Sequence, residues 1–189
     1  MKTSQAAGAP AFNPYAAPIA AVADAAPVAG EPVFFAVGLL KLTLMSLATL
    51  GLYEVYWFYR NWKCVQENLG EKINAPIRAV FYPLTSYTLF TKIRDQAAKA
   101  QLGGGLQAGL LALSVFIIGA LWRLPDPWWV VSLLGFLPLL PVQSTVNELN
   151  RRLAPQAGGN TGFSAWNIAG LVIGGILLFM ALLGTFMGE

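Results

Sequence analysis

The chain has 189 residues, 56% of them hydrophobic and 11% charged, against about 25% charged in an average soluble domain. So few charges do not cover a water-exposed surface, and the formal charge of +3 is scattered between apolar runs instead of forming the continuous basic stripe that nucleic-acid binding needs. With no His and a single Cys, Cys64, the chain by itself builds neither a disulfide nor a His/Cys metal site, and no cofactor is implied.

In chain order, residues 1–31 come first, rich in Ala and interrupted by Pro10, Pro14, Pro18 and Pro27, which reads as a disordered tail. Lys2 and the small residues Ala21, Val22 and Ala23 have the flavour of a signal peptide, but Pro14 and Pro18 break the apolar stretch that such a segment requires. The remainder, 32–189, reads as one multi-pass helical membrane domain. Its first apolar run, 33–58, contains only Lys41 and Glu54 as charges and exceeds the ~20 residues that span hydrocarbon. That run ends among Tyr53, Tyr56, Trp57, Phe58, Tyr59 and Trp62, followed by Arg60 and Lys63, the pattern of an aromatic belt at a positively charged face.

Segment 75–93 mixes Phe81, Tyr82, Leu84, Tyr87 and Phe90 with Arg78, Pro83 and Lys92, and an interfacial or re-entrant helical piece broken near Pro83 fits it better than a fifth span. After the hinge Gly103-Gly104-Gly105, runs 106–122 and 128–146 form a hairpin about the turn at Pro125 and Pro127, and 166–187 makes the last span. The fold class expected is thus all-α, with about four transmembrane helices and the segment at 75–93. Orientation follows from the basic residues. Seven lie between the first two spans (Arg60, Lys63, Lys72, Arg78, Lys92, Arg94 and Lys99), and Arg151 with Arg152 lie between the last two. This asymmetry puts both loops in the cytoplasm and, with four spans, both termini outside.

Intramembrane polar candidates are Lys41, Glu54, Asn147, Arg151 and Asn167. A charge at the bilayer centre costs roughly 2.5–3.5 kcal/mol on insertion scales, so each needs a partner or a route to water. In a continuous helix Lys41 and Glu54 stand about 20 Å apart, too far to pair. The expectation is that Glu54 pairs within the group Asn147, Arg151 and Asn167, above all with Arg151, while Lys41 reaches water or Asp126. Pro138 and Pro141 kink the third helix, and Gln143, Ser144, Asn147, Glu148, Asn150 and Arg151 carry it on into water. Gly170 and Gly174 are a small-xxx-small pair for helix packing within the chain. No phosphate loop, paired carboxylates or Ser-His arrangement appears, Cys64 has no base beside it, and no catalytic residue is expected.

The string at 49–63, with Gly51, Tyr53, Tyr56, Trp57 and Tyr59 in a Gly-x-Tyr-x-x-Tyr-Trp-x-Tyr pattern, resembles the signature of a family of bacterial inner-membrane proteins of unknown function. Stretches 124–127, 137–143 and 147–152 resemble the same family, so that the likeness covers roughly 33–188. The resemblance implies a bacterial inner-membrane location and carries over no functional residue. Two functions stay open. One is a non-enzymatic scaffold or accessory subunit whose partners are the lipid bilayer and other membrane proteins. The other is a small transporter or channel component using Glu54 and the kinked third helix. What separates them is whether these polar residues face water or a packed interior.

Overall fold

The structure is a computed structural model that describes residues 32–103 and 105–187. The expected tail lies outside these residues, as does Gly104 of the glycine hinge. Among the described residues all regular structure is helical: α1 (Leu39–Ala48), α2 (Leu52–Asn68), α3 (Ala75–Val80), α4 (Tyr82–Lys99), α5 (Ala108–Ala120), α6 (Leu139–Leu153) and α7 (Ala165–Met187), with 3-10 stretches at Leu121–Arg123 and Trp128–Phe136.

The expected continuous helix over 33–58 does not form. Residues 32–38 form neither helix nor strand and bend at 33–34, α1 begins only at Leu39, and the chain reverses at 49–51. Leu50 (φ 52°) and Gly51 (φ 86°) both take left-handed conformations. The Gly51 N–H donates to Ser46 O (2.9 Å) and the Leu50 N–H to Leu47 O (3.2 Å), a Schellman closure that satisfies the last carbonyls of α1. Thr49 serves both helices: its hydroxyl donates to Met45 O (2.7 Å) and accepts from Tyr53 N (3.0 Å), which opens α2. Three residues inside an apolar run thus turn one expected span into a helical hairpin.

Both ends of that hairpin lie at the same end of the molecule. Asn68 Nδ2 donates to the carbonyls of Pro32 and Val33 (both 3.0 Å), and Gly38 N donates to Asn160 O (3.3 Å) in the loop between α6 and α7. Its bend, by contrast, lies against Gly174, which is about 14 Å along α7 from its first residue. A Cβ at Gly174 would stand 2.3 Å from Ala48 O, whereas one at Gly170 would rest 3.6 Å from Met45 Cε. Gly174 is therefore where the backbones of α1 and α7 approach, and Gly170 contributes less. Gly174→Ala must push the helices apart and is expected to cost about 1–3 kcal/mol, while Gly170→Ala stays near neutral; thermal unfolding of the two variants in detergent measures the difference.

A second hairpin follows. Asn74 caps α3 by accepting from Ile77 N (3.1 Å), and Pro83 in the first turn of α4 starts the new helix. Tyr82 reaches the interior, where its ring stacks on Phe58 (4.9 Å between centroids), and α4 then descends beside α5. The break near Pro83 is as expected, but α4 continues to Lys99.

Beyond α5, the run expected as one helix over 128–146 divides. Pro138 and Pro141 lack the N–H groups that Leu134 and Leu137 would receive in an α-helix, so the chain crosses this region on shorter bonds, Leu137 N to Leu134 O (3.0 Å) and Leu140 N to Leu137 O (3.2 Å). Among the described residues two helical stretches are long and apolar enough to cross a membrane, Trp128–Leu153 and Ala165–Met187, with mean hydropathies of 1.6 and 2.4. Leu39–Ala48 and Ala108–Arg123 are apolar but shorter. The core is aromatic, with Phe34, Trp57, Phe58, Trp62 and Phe90 fully enclosed.

Candidate functional site

The most unusual local structure is the irregular segment 32–38. Val33 through Val37 are buried, yet their backbone is in neither helix nor sheet. Every such peptide group needs a partner, and in hydrocarbon the need is absolute. Carboxamides supply the partners. Asn150 brackets Phe34, with Oδ1 accepting from its N–H (3.1 Å) and Nδ2 donating to its carbonyl (2.8 Å). Asn61 Oδ1 accepts from Phe35 N (3.3 Å), Gln143 Nε2 donates to Phe35 O (3.1 Å), and Asn147 Nδ2 donates to Val37 O (2.9 Å). With Asn68 at Pro32 and Val33, five side chains from α2 and α6 hold this segment.

Helical spacing explains the arrangement. Gln143, Asn147 and Asn150 fall at i, i+4 and i+7 of α6, and Asn61 and Asn68 at i and i+7 of α2, so each set lines one face. The two faces are tied to each other as well. Trp57 Nε1 donates to Gln143 Oε1 (2.5 Å), Gln143 Nε2 also donates to Asn147 Oδ1 (2.8 Å), and Asn61 Nδ2 donates to Trp57 O (3.0 Å). The α6 polar residues were expected to run on into water. Instead, Gln143 is fully buried and Asn150 nearly so.

The candidates named from sequence do not gather. Glu54 is buried against Gly135, where a Cβ would lie 2.9 and 3.0 Å from its two carboxylate oxygens, with the Tyr82 side chain beside it. Arg151, its expected partner, is exposed and pairs with Glu148 one turn earlier (2.5 Å), and Arg152 joins the same carboxylate (3.2 Å). The reversal at 49–51 is the physical reason: it carries Glu54 toward the bend, away from the end of the molecule where Arg151 lies. Asn147 belongs to the clamp on segment 32–38. Asn167 closes the start of α7, its Oδ1 accepting from Ser164 N (3.1 Å) and Oγ (3.0 Å) while its own N–H donates to Ser164 Oγ (3.3 Å), a reciprocal cap.

Lys41 reaches neither water nor Asp126. Its ammonium donates to Asn160 Oδ1 (2.7 Å) and Gly162 O (2.8 Å) and lies over the Phe163 ring (5.8 Å), tying the start of α1 to the loop before α7. Because α1 starts at the end of the molecule that carries this loop, a lysine in its first turn finds carbonyl partners there. Sequence reasoning missed Asn61 and Asn68 altogether, and it misread Gln143 and Asn150. The signal available was their helical period, three carboxamides on one face of α6.

Among the described residues no three His, Cys, Asp or Glu side chains come together to hold a metal ion. No family model, no curated protein and no solved structure matches the chain. The resemblance of the aromatic string to a bacterial membrane family thus stands on the residues quoted above alone.

Proposed function

We propose that the protein is a multi-pass scaffold or accessory subunit of a bacterial inner membrane, without enzymatic activity. The observation that carries the membrane part is α7: of its 23 residues only Gly174 is buried, while Trp166, Ile173, Phe179, Met180 and Phe186 are each more than half exposed. A soluble protein does not leave such a helix bare, and lipid is the solvent that suits it. The scaffold part is supported by the packing of Glu54, Gln143 and Asn150. These polar residues are enclosed and matched to partners inside the protein, which favours a rigid framework over a water-lined route for a solute. Purification in mild detergent with mass spectrometry tests it: a stoichiometric protein partner supports an accessory role, and solute flux through vesicles containing the pure protein would refute it.

The topology best supported differs from one with both termini outside. The stretches 108–123, Trp128–Leu153 and Ala165–Met187 cross the bilayer, and the hairpins α1–α2 and α3–α4 enter and leave on one side. Ten residues of α1 rise about 15 Å, half of a ~30 Å hydrocarbon core, which suits a re-entrant hairpin and not a span. The basic residues of 60–99 and Arg151 with Arg152 then share the cytoplasmic side with Pro32, and Met187 lies outside. A fluorescent protein fused at the amino end should glow and alkaline phosphatase fused at the carboxyl end should be active. Active phosphatase at both ends would refute the re-entrant reading.

A further inference from the structure

Resting on that membrane placement, we infer that the protein is a wedge that crowds the cytoplasmic leaflet and so favours strongly curved anionic bilayer, with its cytoplasmic face on the convex side. The geometry is a matter of where the helices are. At the level of Trp57 the molecule contains α1, α2, the start of α4, α5, α6 and α7, linked by the Phe58–Tyr82 stack, the Trp57–Gln143 hydrogen bond and the Met45–Gly170 approach. At the level of Trp129, whose indole N–H donates to Thr185 Oγ1 (2.9 Å), the described residues place three elements, the two 3-10 stretches and the last turns of α7. With helices about 10 Å across, six against three is roughly 500 Å² against 250 Å² of leaflet area.

The surface of the broad half fits lipid. Ile77, Val80, Phe81, Leu84 and Tyr87 at the bend of α3–α4 are all more than half exposed, an apolar tip that the other described residues leave open. Below it the cations are held in place, with the Arg78 guanidinium 4.6 Å from the centroid of the Trp62 ring and that of Arg60 5.2 Å from that of Phe35. Exposed apolar side chains beside fixed cations match acyl chains below anionic phosphates, and area added to one leaflet alone bends the bilayer toward that side.

The experiment reconstitutes the full chain into phosphatidylcholine vesicles containing about one quarter phosphatidylglycerol, separated into classes of about 30 nm and about 200 nm diameter. Protein per lipid should be roughly two-fold or more higher in the small class, with the basic loops outside and open to protease. Equal density in both classes, or random orientation in the small ones, overturns the wedge. Phe81→Glu with Leu84→Glu should withdraw the α3–α4 tip, abolishing the enrichment while the protein still resists carbonate extraction; undiminished enrichment in that variant also overturns the proposal. Failure of the unmodified chain to enter vesicles of either size is a different result and refutes the membrane reading beneath it.

Discussion

Gln143→Leu should be among the most damaging single substitutions in the protein, lowering stability by roughly 2–6 kcal/mol. The residue is fully enclosed and its amide serves three groups, accepting from Trp57 Nε1 and donating to Phe35 O and Asn147 Oδ1. Leucine fills much of the volume but leaves the indole N–H and the Phe35 carbonyl unpaired, and each buried orphan costs about 1–3 kcal/mol. Gln143→Glu keeps an acceptor for Trp57 but turns the donor into a second acceptor facing Phe35 O, so it should be no better. Arg151→Ala, by contrast, removes an exposed side chain paired only with Glu148 and should leave the melting temperature within error. Thermal unfolding in detergent, together with protease sensitivity at 32–38, measures both. A Gln143→Leu protein as stable as the parent would refute the clamp.

A second large effect is expected where the carboxylate meets the 3-10 stretch. Gly135→Ala places a methyl 2.9 Å from one Glu54 oxygen and 3.0 Å from the other, and Glu54, enclosed on every side, has little room to give. A loss of roughly 1–3 kcal/mol follows from the overpacking. In a Glu54→Ala background the methyl meets space instead, so the same Gly135→Ala change should become nearly neutral. The coupling, about 1–2 kcal/mol, is a double-mutant cycle between two contacting sites. Equal damage from Gly135→Ala in both backgrounds would show that its cost comes from the backbone and not from the carboxylate.

Much of the helical character was legible because the apolar runs are long and a helix pairs their backbone groups locally. What misled was continuity. In the run 33–58 nothing marks residues 32–38 as non-helical, since Phe34, Phe35 and Val37 are as compatible with a helix as with a strand, and three of the segment's five partners lie more than 100 residues away. The reversal had a local signal, Thr49 followed by Leu50 and Gly51, but hydropathy gives Leu50 its full apolar weight and hides its left-handed φ. The break before α4 was readable because Pro83 forbids continuation, and the division near Pro138 was foreseen only as a kink. For the polar residues the error was one of direction. Asn and Gln near a helix end suggest water, yet carboxamides both donate and accept, which is what an unpaired stretch of backbone needs.

The clamp also sets an order of events during synthesis. Phe34 finds its partner 116 residues later at Asn150, Phe35 its partner 108 later at Gln143, and Val37 its partner 110 later at Asn147. At a translation rate of about 5–20 residues per second, the segment waits on the order of ten seconds before α6 exists to receive it. Until then six apolar residues with open backbone groups depend on Asn61 and Asn68 alone. The segment is thus among the first parts of the domain to leave the ribosome and among the last to be secured, so a ribosome stalled before codon 143 leaves it exposed to whatever insertase or protease is nearby.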